Sequence, residues 1–407
     1  MFRHSATSGF SGGRAAATGS ISGFRFRAAL TSTPTSMHST LPPKHPAPLL
    51  ASLLFVLASF MLPAAVMGQG CMATRVSPPM LGGREGGTGL KKGQMELSMS
   101  FRSYEAERHF FNSNDEVVPA NAPRVERTVL DFSLTRMLTD RSSLTVSLPI
   151  QKGEFDRSPI PPYGASADKA SDIGDMAVTF RRWMFDPEIH RNANLRLGVG
   201  LKLPTGKYDA EDDRTYNTAP RGAPAVYVTG RGPVDMAIQP GDGGLGIILS
   251  AEGFYTLSPK ITAYGELTYL ANPRGENGVN NQWSGPGPYV PNSVSSVPDY
   301  FLGRAGFTLN EPLGWKNGTA LLGLRIEGQP VRDLIGSNAG FRRPGFSLAV
   351  EPGIAHSFGK VSLFLTVPIT IHRHRWKSVD EENAGRVNAV SAAFADYNIL
   401  AGLTYRF

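Results

Sequence analysis

Cysteine occurs once in the 407 residues, at Cys71. That excludes an intramolecular disulfide framework and a Cys-rich zinc module. Carboxylates are missing from the start of the chain, and Glu85 is the first. Before it stand Arg3, Arg14, Arg25, Arg27, Lys44, Arg75 and Arg84, which account for the whole net charge of +7. From Glu85 onward the two signs balance, so the basic excess does not describe a nucleic-acid-binding surface. Charged residues make up only 18% and hydrophobic ones 41%, too apolar for a disordered chain. Glycine, at 45 residues, is too frequent for a helical protein, since it weakens helix interiors.

Long apolar runs are also scarce. The one present covers residues 49–67, LLASLLFVLASFMLPAAVM, behind Lys44 and His45. Basic flank, apolar centre and small-residue exit are the order of a secretory signal, with cleavage after Gly68 or Gly70. An uncleaved anchor and an organelle transit peptide are the rival readings, and Met37 is an alternative start. Cys71 reads as a plain residue near the mature terminus; Gly68-Gln69-Gly70 lacks the aliphatic residue of a lipoprotein box. The expected organisation is a leader over 1–68, a short periplasmic segment over 69–92, and a β domain over 93–407.

Past residue 90 the apolar residues alternate with period two, the mark of half-buried strands. Leu195, Leu197, Val199, Leu201 and Leu203 share one face, with Arg196 and Lys202 opposite. Twelve such segments are expected, near 93–104, 124–138, 141–151, 172–186, 193–204, 242–257, 260–272, 297–310, 318–331, 345–357, 359–371 and 393–407. Their prolines, Pro149, Pro204 and Pro368, are placed near strand ends. Connections alternate between short turns (Thr139-Asp140, 187–192, Ser258-Pro259, 311–317, Phe358) and long loops (105–123, 152–171, 205–241, 273–296, 332–344, 372–392). That alternation predicts an all-β fold, a transmembrane antiparallel up-and-down β-barrel of about twelve strands with short periplasmic turns and long extracellular loops. The expected location is the bacterial outer membrane, and outer-membrane lipid and lipopolysaccharide are the expected surroundings. The chain ends on Phe407 after YNILAGLTYR, which resembles the terminal-strand signal that the barrel-insertion machinery reads.

If the apolar face meets lipid, the opposite face lines the lumen. It carries Glu96, Arg102, Asp131, Arg181, Arg196, Lys202, Glu252, Glu266, Arg304, Arg325, Glu327 and Glu351. These twelve are the candidate solute-path residues, six acids and six bases. Charge in an apolar surround is costly unless paired or wet. Either a cross-strand network partly fills the lumen, or opposed charged walls line a wet channel. For any one residue a structural salt bridge is the simpler role. The four tryptophans fit girdle or loop positions, Trp183 and Trp315 near the short turns, Trp283 and Trp376 in or beside long loops. HRHRWK, 372–377, is a basic cluster at the long-loop rim, placed to touch outer-leaflet anionic sugars or simply solvated.

Other motifs carry little. Gly241–Gly246 matches G-x-G-x-x-G, but no strand precedes it and no helix follows, so it reads as a flexible loop entering strand six. His372-x-His374 has no third metal ligand nearby, and Tyr208–Asp213 lacks the spacing of a calcium loop. Adjacent His356 and Ser357 would point to opposite strand faces, so no hydrolase pair is expected. The reading is no enzyme, no cofactor, no metal and no nucleic-acid partner.

Residues 172–209 resemble a family of Gram-negative outer-membrane proteins labelled MetA-pathway of phenol degradation, related to the long-chain fatty-acid channel superfamily. The matching elements are Gly174-Asp175 at a strand start, a short turn, then Gly200-Leu201-Lys202-Leu203-Pro204-Thr205-Gly206. The resemblance covers about a tenth of the chain. It implies passage of small molecules, hydrophobic or aromatic ones among them, as solutes. Residues 72–92 are too short and Gly/Pro-rich for the plug helix of the fatty-acid channels. A sealed barrel working through its surface loops, or a soluble periplasmic β domain, are the alternatives.

Overall fold

The computed structural model describes residues 90–117, 123–157, 166–217, 224, 226–280 and 294–407. The leader, the cleavage point after Gly68, Met37, Cys71 and Trp283 lie outside the described residues. Twelve antiparallel staves close into one β-barrel. In order they are β1 (Met95–Ala106), β2 (Arg124–Met137), β3 (Ser142–Arg157), a fourth stave in two pieces, β4 (Ser166–Ile173) and β5 (Ala177–Trp183), then β6 (Ala193–Lys202) and β7 (Gly246–Thr256). Next come β8 (Ile261–Ala271), β9 (Tyr300–Asn310), β10 (Gly318–Gln329) and β11 (Gly345–Phe358). An eleventh stave is again split, into β12 (Val361–Thr366) and β13 (Ile369–Arg375), and β14 (Ile399–Arg406) is the twelfth. β14 pairs with β1 from Glu96↔Arg406 to Ser103↔Ile399, so no sheet edge is left open in the wall.

The period-two pattern sets which side chain goes where. Leu195, Leu197, Val199 and Leu201 are 40–52% exposed on the outside, while their neighbours Asn194 and Lys202 are buried inside. Leu267 and Leu322, at 64% and 60%, show the same on the far wall. Such a continuous outward apolar band is matched by lipid rather than by water. A one-residue slip would turn this band into the lumen, so the register is strongly specified.

The turns follow their local chemistry. Thr139 Oγ1 accepts from the N–H groups of Arg141 and Ser142, at 3.2 and 2.9 Å, closing the β2–β3 turn. Gly359, at φ +64°, turns β11 into β12 where a side chain would be strained.

Three expectations change. Pro149 sits in the middle of β3, not near its end. It lies where the partner of β3 switches from β5 to β4, and its carbonyl accepts from Gly174 N–H at 2.8 Å. The missing N–H of proline therefore falls opposite a break in the ladder. Of residues 152–171, expected as loop, the described ones instead extend β3 to Arg157 and, from Ser166, form β4. Trp183 is buried (2% exposed) and points inward; its ring meets Phe254 edge-on at 5.9 Å and lies under the Arg196 guanidinium at 5.0 Å. It caps the short-turn end of the lumen instead of facing lipid. Trp315 does face outward, stacked on His356 at 5.1 Å.

The long loops are not structureless. They carry hairpins Arg108–Ser113 with Asp115–Val117, Glu211–Asn217 with Tyr227–Pro233, and Glu276–Asn280 with Val294–Ser296. A short helix, Val379–Asn383, starts at a capping box made by Ser378 and Glu381.

Candidate functional site

The inner face places the charged side chains in three zones. The middle zone is a belt. Arg196, Glu252, Glu266, Arg304 and Arg325 are successive register partners across β6–β10. Like charges therefore stand side by side twice, Glu252 against Glu266 and Arg304 against Arg325. Residues one level away relieve both clashes. Arg181 Nε lies 3.2 Å from Glu252, which also bonds Arg196. Glu351 lies 3.4 Å from Arg304 Nε and 3.7 Å from Arg325 Nη1. Arg304 also reaches Glu266 at 3.3 Å, and Arg325 reaches Glu327 at 2.7 Å. Arg304, Arg325, Glu327 and Glu351 are each 4% exposed or less. A buried charge survives only when paired, and here four arginines balance four glutamates.

The remaining candidates lie apart from the belt. Glu96 pairs with Arg406 at 2.9 Å near the short-turn end. Arg102 and Asp131 are on the inner faces of β1 and β2, opposite the belt. Lys202 stands above the belt, toward the long loops, and belongs to a different assembly.

That assembly is formed by residues 234–244 of the long connection between β6 and β7, which fold back inside the barrel. All of them except Met236 are buried, so Gly241–Gly246, read as a flexible loop, leads into β7 from a packed position. Lys202 Nζ bonds the Asp242 carboxylate and lies 3.8 Å from Asp175. Asp175 in turn accepts from Gly206 N–H at 3.0 Å and Asp242 N–H at 3.1 Å. Gly174, Gly206 and Gly241 pack backbone to backbone there: a Cβ on Gly206 would fall 2.6 Å from the Gly174 carbonyl carbon, and one on Gly241 2.5 Å from the Gly206 oxygen. The Gly174-Asp175 and Lys202–Gly206 elements of the sequence motif thus form a clasp on the loop.

Further fixings come from the wall and from the connection ahead of β11. Arg343 forks onto Asp235 at 3.0 and 3.1 Å. Arg127 donates to the carbonyls of Ala237 at 2.5 Å and Gln239 at 2.9 Å, and Gln151 to that of Pro240 at 2.8 Å. Val234, Ala237 and Ile238 join Ala106, Val125, Phe155, Ala170 and Ala393 in an apolar cluster. Sequence reading missed Arg127, Gln151, Asp235 and Arg343, and gave Asp175 and Asp242 no role beyond the motifs that contain them. Arg127 shares the inner face with Asp131, four residues on, and that spacing was its one available signal. Asp235 and Asp242 sit in a connection whose return into the barrel no period announces.

The basic cluster 372–377 divides by face. A register shift between Leu348 and Ala349 puts Arg373 and Arg375 inside, where they pair with Asp396 and with Glu381 (3.1 Å). His372, His374 and Trp376 stay outside and gather on Phe346, with ring centroids 5.2–5.9 Å away. The outward patch is aromatic instead of basic. No group of three or more metal-ligating side chains occurs among the described residues.

No family model matches the chain, and no curated protein matches it in sequence. Solved structures do match in fold. An outer membrane channel from Pseudomonas putida F1 superposes with a TM-score of 0.50 over 82% of this chain and 100% of that one, at 14% identity. The translocator domain of an autotransporter from Neisseria meningitidis gives 0.42, covering 79% and 91% at 12% identity. The toluene transporter of Ralstonia pickettii gives 0.36, covering 84% and 97% at 9% identity.

Proposed function

We propose that this chain is an outer-membrane channel for small molecules, hydrophobic or aromatic ones among them, closed on its long-loop side by residues 234–244. The observation that carries the reading is the way the lumen is blocked. A barrel with a purely structural interior is filled by its own wall side chains. Here the outer part of the lumen is filled by a loop, held through salt bridges, side-chain hydrogen bonds and one apolar cluster. Contacts of that kind can be broken without opening the wall.

The fold it shares with the Pseudomonas putida channel agrees with this reading, as does the phenol-degradation family resemblance of residues 172–209. The twelve charged lumen residues then line the solute path, and the leader of residues 1–68 delivers the chain across the inner membrane. Lipid and lipopolysaccharide surround the barrel, and the strand ending at Phe407 addresses the insertion machinery. Uptake by liposomes carrying the refolded barrel tests the proposal: entry of small uncharged solutes supports it, and no passage of any solute after correct insertion overturns it.

The paired belt favours a second reading, a sealed barrel that acts through its loops. Removal of one surface hairpin separates the two, since the sealed barrel would lose surface binding with permeability unchanged.

A further inference from the structure

The outer wall is not uniform at its short-turn end. Most of that end carries aromatic rings. Trp315, His356 and Phe358 cluster beside β10 and β11, and Tyr405 stacks on Phe407 at 5.7 Å. Tyr255 stands exposed on β7. Such rings mark the level where lipid headgroups begin. The sector made by β2, β3 and β5 differs. Arg136 is the register partner of Leu144, and Leu144 that of Phe180. Leu144 and Phe180 are exposed on the lipid-facing side, so Arg136 faces outward with them. Arg182 stands two residues beyond Phe180 on the same face and donates to Ser142 Oγ at 3.1 Å. Arg136 shares its row with Met95 and Phe407, which places it at the aromatic level. Among the described strands, Arg136 and Arg182 are the two outward-facing charged residues at that end.

Neither guanidinium pairs with a carboxylate of the described residues. The acids of the adjoining turns are engaged elsewhere: Asp140 accepts from Lys92 N–H at 2.8 Å, Asp186 from Glu188 N–H at 2.9 Å, and Glu188 pairs with Lys91 at 3.6 Å. Arg141, in the β2–β3 turn, adds a third positive charge at the lower edge, where it bonds the carbonyls of Trp183 and Met184. Toward the membrane centre the same sector is apolar, with Leu134, Leu144, Val146 and Phe180 each 36–39% exposed. β2 and β5 both neighbour β3 and so run about 10 Å apart, which lets two long side chains converge on one headgroup. A guanidinium fork matches the oxygens of a phosphate. We propose that Arg136 and Arg182, with Arg141 below them, form a binding site for an anionic phospholipid of the periplasmic leaflet. The phosphodiester accepts from the guanidinium groups, and the acyl chains lie on Leu134, Leu144, Val146 and Phe180. A headgroup of net negative charge supplies what the site lacks, whereas a zwitterionic one carries its own cation.

The site lies on the outside of the wall and holds whether or not the lumen conducts. The full chain, refolded in non-ionic detergent micelles, is incubated with palmitoyl-oleoyl phosphatidylglycerol and, separately, with phosphatidylcholine of the same acyl chains. Bound lipid is read by native mass spectrometry. The glycerol lipid is expected to bind about tenfold or more tightly than the choline lipid, the scale of two basic side chains acting together at the headgroup level. Arg136→Gln/Arg182→Gln is expected to remove that preference, and Arg136→Lys/Arg182→Lys to keep part of it. Lys316→Gln/Lys360→Gln takes two exposed positive charges from other short turns and is expected to leave the preference unchanged. Equal affinity for the two lipids in the native chain overturns the site. So does an equal loss of preference in the Lys316/Lys360 variant, which would mean diffuse attraction to the whole rim. If the double glutamine variant fails to fold, shown by loss of heat-modifiable gel migration, Arg136→Gln alone decides: a reduced preference supports the site, and an unchanged one overturns it.

Discussion

Arg343 and Asp235 meet through two parallel hydrogen bonds, 3.0 and 3.1 Å long, with the carboxylate fully buried. The pair joins the connection ahead of β11 to a loop more than a hundred residues earlier. It sits at one end of the inward segment, and the Lys202–Asp242 pair sits at the other. Breaking a buried pair by removing one partner typically costs about 3–5 kcal/mol. Arg343→Met should therefore release residues 234–244 while leaving the wall intact. Limited proteolysis checks this: new cleavage within 234–244 with unchanged heat-modifiable migration is expected, and an identical cleavage pattern would contradict it.

The belt makes a different prediction. Glu351 is the anion that both Arg304 and Arg325 share. Glu351→Gln leaves two buried guanidinium groups short of a charge, so a loss of about 3 kcal/mol in barrel stability is expected. Urea unfolding followed by tryptophan fluorescence measures it. A change under about 0.5 kcal/mol would mean the belt is wet and screened.

On the outer wall the sign of the effect depends on depth. Leu267 and Leu322 are among the most exposed aliphatic residues of β8 and β10. Leu267→Lys should cost ~2–4 kcal/mol in a bilayer if that position lies at mid-depth. In a water-soluble protein the same exposed change would be nearly neutral. Refolding yields into lipid vesicles separate the two.

The surface hairpin 108–117 should be acid-sensitive. His109 is buried, and burial holds its imidazole below the usual value near 6.5; a hydrogen bond to the Pro123 carbonyl pulls the other way, while nearby Arg343 adds to the depression. In the unfolded chain this histidine takes a proton at about pH 6.5, in the folded one only at lower pH. Its contribution is thus complete above about pH 6.5 and is lost progressively as pH falls toward the folded value. Hydrogen exchange of Phe110 and Phe111 should speed up at pH 5 relative to pH 7.5, beyond the intrinsic pH effect. Equal protection factors would remove His109 from this role.

Much of the barrel is legible because lipid and lumen impose a strict two-residue period. Leu195–Leu201 facing out and Arg196 and Lys202 facing in follow directly from alternation. The alternation of turn and loop lengths gave the strand count and closure. Register is another matter. That Glu252 would stand beside Glu266, and Arg304 beside Arg325, follows from strand stagger, which no local pattern encodes. The fate of residues 234–244 was equally hidden, because Gly, Pro and Asp suit a solvated turn as well as a packed one. Arg373 and Arg375 were misplaced by the bulge near Ala349, which reverses the facing of everything after Ile371.

Single-channel conductance in planar bilayers, compared between the native chain and the double variant Asp235→Ala/Asp242→Ala, tests the central claim most directly. Both substitutions lie on the inward loop, so the wall and its belt are untouched. The account predicts a small or closed conductance for the native chain and a severalfold larger one for the variant. Equal conductance in the two, with both correctly inserted, would mean that the loop does not close the path.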